Sequence, residues 1–234
     1  SHGFNDWNVM PEHSNRIYQA AKDRGVPVQI YYHQGGHGGP PPLEMMNKWF
    51  THFLYDVENG VEEEPKAWIV REGDMRSQPT PYADFPNPAA EPVALHLRKG
   101  GSAAGRLSLK KPRAGRERFV DDVAFSGADL ARTSASNHRL LYVTPVLKEA
   151  VHLSGLATVR IRLASSKPAA NLSVWLVSLP WDSSDRTPVY HNIITRGWAD
   201  PQNHASLRSS EPLVPGTYYS LSFDLQPDDQ VIPA

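Results

Sequence analysis

Hydrophobic and polar positions along this chain follow two rhythms, and the change falls near residue 60. From Pro11 to Arg24 the period is helical. Ile17, Ala20 and Ala21 form an apolar stripe, proline is tolerated in the first turn, and Gly25 is placed to end the helix. Val26 to Tyr32 then predicts a buried strand with Pro27 confined to its first residues. A Gly/Pro-rich loop follows. A second helix is predicted over Leu43 to Asp56, where Met46, Trp49, Phe50, Phe53 and Leu54 make a wide apolar face suited to packing on a sheet. Strand end, helix, strand, loop and helix form the closing βαβα of a parallel-sheet domain.

Beyond residues 57–65 the helical period is gone. Glu62-Glu63-Glu64-Pro65 predicts an exposed connector, and Lys66 to Val70 opens an all-β pattern in which no segment offers a helix of convincing length. Strands are predicted over Val93–Leu97, Arg106–Leu109, Leu140–Thr144, Val151–Leu153, Ala157–Ala164, Asn171–Leu179 and Tyr218–Leu225. The clearest pair is Thr158–Leu163 and Leu172–Val177, with Ser165-Ser166-Lys167-Pro168 as the turn between them. Gly100 to Arg118 reads as a solvated loop or hairpin. Many short strands with Pro, Gly and Ser turns suggest a β-sandwich or jelly roll. After Pro227-Asp228-Asp229 a final strand is expected to be missing, so the chain reads as cut at both ends. The expected fold class is α/β then all-β: an α/β part over residues 1–60, a connector over 61–75, and a β-sandwich over 76–234.

Composition narrows the partners. With 24 basic and 25 acidic side chains in 234 residues, the chain lacks the basic excess of a nucleic-acid or anionic-membrane binder. No apolar run approaches the roughly 18–20 residues of a membrane helix. Zero cysteines exclude disulfides, thiolate metal sites and a cysteine nucleophile. The start at Ser1-His2-Gly3-Phe4 has no leader pattern and lies inside a motif, as at a fragment boundary, which leaves the compartment open.

Two segments carry candidate chemistry: Gly3-Phe4-Asn5-Asp6-Trp7-Asn8-Val9 and Tyr32-His33-Gln34-Gly35-Gly36-His37-Gly38-Gly39. An acid in a tight turn, then a helix, a strand and a Gly-flanked histidine is the order in which α/β-hydrolases present their last two triad members, with the nucleophile earlier in the chain. Asp6 would hold the histidine's tautomer and stabilise its imidazolium; the same residue in an Asn-Asp turn also bonds local backbone or caps a helix. His37 needs an exposed loop at a strand's end, and its glycine neighbours allow one. His33 competes for the role. A metal held by the two histidines would need further ligands, and no carboxylate or cysteine set accompanies them. Asn8 offers a side-chain amide to a substrate carbonyl, or else caps the next helix. Trp7 lines the site or fills the core. No Gly-x-Ser-x-Gly elbow is present; Gly100 to Gly105 has the wrong spacing and follows His37. The other histidines, His2 among them, show no partner pattern.

At Asp6-Trp7-Asn8-Val9 followed by Gly36-His37-Gly38 the chain resembles the serine peptidases that remove Xaa-Pro dipeptides. Leu140–Pro145, Leu153-Ser154-Gly155, Val159–Ser165, Thr195-Arg196-Gly197-Trp198 and Pro215–Leu221 resemble the C-terminal jelly-roll (galactose-binding-like) domain of the bacterial Xaa-Pro dipeptidyl-peptidase family, a domain shared with cocaine-esterase-like acyl hydrolases. The resemblance implies a serine hydrolase acting on proline-containing peptides without a cofactor or metal. It makes Asp6 the triad acid, His37 the base, and Asn8 the amide that binds the carbonyl of the substrate's second residue. The esterases usually lack that Asn, so Asn8 tilts the choice towards the peptidase. The serine would lie upstream, and these residues alone are expected to be inactive. An ester or α-amino-acid ester hydrolase is the alternative on the same scaffold. A carbohydrate-binding β-sandwich is another, and it would need Trp175, Trp181, Tyr190 and Trp198 in an exposed row. A structural β domain packed on the catalytic domain or on a second copy, as in a homodimer, is the third.

Overall fold

The computed structural model describes residues 1–113, 115–181 and 189–234. It divides into two compact units. One comprises Ser1–Ala90, His152–Val177 and Ile194–Val231; the other comprises Glu91–Val151, Ser178–Ile193 and Ile232–Ala234. Strands predominate over helices among the described residues.

The first unit opens with β1 (His2–Gly3), α1 (Pro11–Asp23), β2 (Ile30–His33), α2 (Leu43–Tyr55), β3 (Ala67–Ile69) and β4 (Thr80–Tyr82). The sheet order is β1-β2-β3-β4. β1 and β2 pair in parallel, His2 opposite Tyr32 and Gly3 opposite His33, and β2 and β3 pair in parallel, Ile30 opposite Ala67. A parallel pair needs a long crossover, and α1 and α2 supply them. β4 then turns back antiparallel to β3. β2 starts later than the apolar run predicts because β3 offers only three partners, opposite Ile30, Tyr31 and Tyr32. Phe4 stacks on Tyr32 at 4.5 Å, Phe85 tilts against Tyr32 at 5.1 Å, and Tyr18, Ile30, Ala67, Ile69 and Tyr82 complete this core.

α1 ends as expected but buries a different face. Gly25, at φ +67°, donates its amide to Lys22 O, and the Val26 amide reaches Ala21 O, a Schellman closure. The buried positions are Pro11, Asn15 and Tyr18, whereas Ile17 is 69% exposed. Tyr18 wins the core because its ring is large and its hydroxyl donates to Asp84 at 2.7 Å. α2 keeps its predicted span, yet none of its residues is buried, and Phe50, Leu54 and Tyr55 are exposed. The helix is tied at its flank instead, where Lys48 pairs with Glu64 and Asn59 donates to Lys48 O.

The second unit contains β5 (His96–Arg98), β6 (Gly105–Ser108), α3 (Gly127–Arg132) and β7 (Tyr142–Val143), in the sheet order β5-β6-β7. Glu117 organises it: its carboxylate accepts from the amides of Gly100 and Gly101 and from the Tyr142 hydroxyl. α3, not anticipated from the sequence, is a short helix held by a capping box between Ser126 and Asp129.

The first unit continues with β8 (Val151–Gly155), β9 (Thr158–Leu163), β10 (Leu172–Val177), β11 (Ile193–Ala199), β12 (Tyr219–Asp224) and β13 (Asp228–Ile232). β9 and β10 are strands but not a hairpin: β9 pairs with β12 and β10 with β11. The turn residues explain why. Ser165 O and Pro168 O accept from the amides of Gly216 and Leu213, so that stretch is held by the run into β12. β13 supplies a strand where none was expected. Of the aromatic row, Trp198 is exposed, Trp175 and Trp181 are half-buried, and the side chain of Tyr190 lies outside the described residues.

Candidate active site

Two loops leave the same end of the parallel pair. β1 ends at Gly3, and the chain turns back with the Asp6 amide on Gly3 O. The Asn5 amide donates to Gly35 O, and its side chain donates to Gln34 O at 2.8 Å, which joins the Asp6 turn to the loop after β2. Only glycine fits at position 3, because a Cβ there would run into the carbonyl oxygens of Gly35 and Gly36. Gly39, at φ +104°, takes a conformation closed to other residues, and a Cβ there would lie 2.6 Å from His33 Nε2.

The Asp6 carboxylate is 4% exposed and fully engaged. Oδ1 accepts from the amides of Asn8 at 2.9 Å and Val9 at 3.0 Å, and Oδ2 accepts from His37 Nδ1 at 2.9 Å. Asp6 therefore bonds its local turn and a histidine at once. Burial alone would raise its pKa, but the Val9 amide, the His37 ring and the Asn8 amide outweigh it and hold the carboxyl at about 2. Because the folded-state value lies below the ordinary 3.8, ionised Asp6 stabilises the fold by about 2 kcal/mol. That contribution is present above pH ~4 and lost as the pH falls towards ~2. Urea titrations across this window are expected to show the decline in the native chain and a flatter profile in Asp6→Asn; equal slopes would contradict it.

His37 stands at the loop tip with its side chain 61% exposed. With Nδ1 donating to Asp6, the neutral ring keeps its lone pair on Nε2, which has no hydrogen-bond partner among the described residues. An exposed basic nitrogen backed by a buried carboxylate can take a proton from an incoming hydroxyl. His33, the competitor, is 0% exposed. Its Nδ1 accepts from the Gly35 amide at 3.0 Å and faces Arg76 at 3.3 Å, and burial, then the Arg76 charge, push its pKa down. It is a neutral prop beneath the loop. Among the described residues no group of three or more His, Cys, Asp or Glu could hold a metal ion.

Asn8 caps nothing: Met10 is the N-cap of α1, with no side-chain cap bond. The Asn8 side chain is exposed and unbonded among the described residues. Trp7 is half-buried beneath the guanidinium of Arg196, whose pKa burial lowers to about 10. Sequence reasoning missed His2. Its Nε2 lies 2.8 Å from Val9 O and 3.2 Å from Asp6 Oδ2, and its Nδ1 lies 2.6 Å from Ser14 Oγ. The one available signal was its i, i+4 spacing from Asp6 across a turn.

A family profile described as the X-Pro dipeptidyl-peptidase C-terminal non-catalytic domain matches residues 59–234. The chain belongs to that family. A Rhodopirellula baltica protein named as a Xaa-Pro dipeptidyl-peptidase is 56% identical over 99% of this chain and 37% of its own length. A Bacillus anthracis protein of the same name is 33% identical over 100% of this chain and 38% of its own length. The chain thus spans less than two fifths of these relatives. Among solved structures, an aminopeptidase from a marine-sediment Thaumarchaeota archaeon superposes with a TM-score of 0.69 at 17% identity, covering 99% of this chain and 44% of that one. An α-amino acid ester hydrolase superposes with a TM-score of 0.67 at 16% identity, covering 99% and 45%. At such identities the likeness speaks for the fold.

Proposed function

We propose that this chain carries the acid and the base of a serine exopeptidase that releases Xaa-Pro dipeptides from peptide N-termini. The observation that carries the reading is the 2.9 Å bond from exposed His37 to buried Asp6, with Nε2 left open. In this reading residues 1–60 close an α/β-hydrolase domain whose sheet β3 and β4 extend, so the expected connector over 61–75 is part of that sheet, and the later strands up to 234 form a jelly roll. The serine belongs to the part of the full-length protein that precedes Asp6 in chain order.

The Ser hydroxyl gives its proton to His37 Nε2 as its oxygen bonds the carbonyl carbon of proline. Asp6 holds the resulting imidazolium. The C–N bond then breaks, His37 protonates the leaving amine, and water releases the dipeptide by the same route. Asn8, two residues after the acid and with a side-chain amide free among the described residues, bonds the carbonyl of the second residue counted back from the scissile bond, the one before proline. An α-amino acid ester hydrolase is the second reading, favoured by the fold likeness alone.

The test uses the full-length protein with an Xaa-Pro p-nitroanilide, an aryl ester and a serine-directed phosphonate. Amide cleavage blocked by the phosphonate is the expected result. Ester cleavage without amide cleavage would transfer the protein to the second reading, and turnover of neither would overturn both.

A further inference from the structure

The stretch matched as non-catalytic, residues 59–234, reaches the two loops that carry Asp6 and His37. Gln226 Oε1 accepts from the Glu12 amide at 3.1 Å. The first amides of a helix lack internal acceptors, and α1 has no side-chain cap of its own, so Gln226 fixes the helix that follows the Asp6 turn. The Asp229 carbonyl accepts from Gln34 Nε2 at 2.9 Å, three residues before His37, and the Asp228 carboxyl also faces the Gln34 amide. Arg196 covers Trp7, the residue after the acid.

The group making these contacts is itself buried and braced. Gln226, Asp228 and Asp229 are all buried. The Gln226 amide donates to Arg196 O, and Thr195 Oγ1 donates to Gln226 O at 2.7 Å. The Asp229 carboxylate receives the Tyr82 hydroxyl at 3.1 Å and His152 Nε2 at 2.9 Å, with Arg71 at 3.6 Å. Such a network has little freedom to follow a moving loop. It holds the loop to itself.

We propose that the Gln226–Asp229 segment, which leads into β13, is a positioning clamp that holds Asp6 and His37 in hydrogen-bonding register, a role that rests on the dyad being catalytic only for its effect on turnover. Its residues touch no reacting atom. They act through Glu12 and Gln34. A displacement of about 1 Å at reacting groups costs on the order of 100-fold in rate, so release of the clamp reads out in kcat rather than KM.

The experiment compares native, Gln34→Ala, Gln226→Ala and Gln226→Glu forms of the full-length protein. Nitrogen-15 NMR of the histidine rings is the first readout and Xaa-Pro anilide kinetics the second. In the native protein His37 should show the Nδ1–H tautomer with a carboxylate-bonded proton. Both alanine variants should mix the tautomers and lower kcat by about 10- to 100-fold with KM within about threefold. Gln226→Glu keeps an acceptor oxygen and should restore most of both signals. Folded variants with native tautomer and native kcat would overturn the clamp. So would a kcat loss that Gln226→Glu fails to restore while His37 stays native. A tautomer change in a protein with no peptidase activity would sustain the clamp and remove the peptidase reading. Gln34→Ala cuts the contact from the half-buried side, so a folding failure at Gln226 leaves the test intact.

Discussion

Replacing His37 with alanine in the full-length protein is expected to lower kcat on an Xaa-Pro amide by about 10⁴–10⁶-fold while costing stability only through the hydrogen bond lost from Asp6. The two halves of this expectation have separate causes. The ring is 61% exposed and its hydrogen bond is to Asp6, so truncation opens no cavity in the Phe4–Tyr32–Phe85 core. In the proposed mechanism the rate loss follows from removing the group that takes the serine proton. Asp6→Asn should behave differently. It is expected to lose about 10⁴-fold in kcat through the wrong histidine tautomer. It should also lose stability, because an asparagine oxygen can still accept from the Asn8 and Val9 amides but without the negative charge that strengthens those bonds. Retention of more than about 1% of native kcat by His37→Ala would place the base elsewhere, and the buried His33 could not supply it without unfolding its loop.

The meeting of Asp6 and His37 was legible in the sequence to the extent that it is local. Acid, helix, strand and glycine-flanked histidine are consecutive, and the parallel pairing of β1 with β2 brings both loops to one end. His2 escaped notice because its contact with Asp6 depends on the turn closing, which no residue type announces. The helices were legible in span but not in face. A stripe of Ile17 and alanines looks apolar on a wheel, yet Tyr18 anchors α1 through a hydroxyl bond that hydrophobic periodicity does not weigh. Strand partners were beyond reach. The Ser165–Pro168 segment resembles a hairpin turn, and only the distant amides of Leu213 and Gly216 make it a crossover. β13 was hidden for a related reason: Asp228-Asp229-Gln230 reads as a polar turn, and its burial rests on Tyr82, His152 and Gln34, all far away in sequence.

That buried acidic pair gives the second large expectation: Asp228→Asn should stabilise the protein at neutral and alkaline pH. Burial raises the Asp228 carboxyl to about 7; the Asp229 and Gln34 amides oppose the rise, and the charges of Asp229 and Glu72 add to it. Below pH ~4 the group is protonated whether the chain is folded or not. Between ~4 and ~7 the folded chain keeps a proton that the unfolded chain has released, so stability falls as the pH rises. Above ~7 the full cost, up to about 4 kcal/mol, is in place. Asparagine carries no charge to bury, and its oxygen can still accept the Asp229 amide, as Asp228 does at 2.8 Å. Urea titrations should therefore give native and variant chains nearly equal stability at pH 4, with a gap that opens towards pH 8 in favour of the variant. A gap independent of pH, or a less stable variant at pH 8, would mean that another group takes up the proton. An acid kept at such a cost beside Gln34 is intelligible if it serves the His37 loop rather than the fold, since stability is commonly given up where a site must be held in one arrangement. The stabilised variant then separates the two purposes: a kcat that survives the substitution assigns the loop's anchorage to the Asp229 carbonyl, and a kcat that falls while stability rises assigns it to the Asp228 carboxyl.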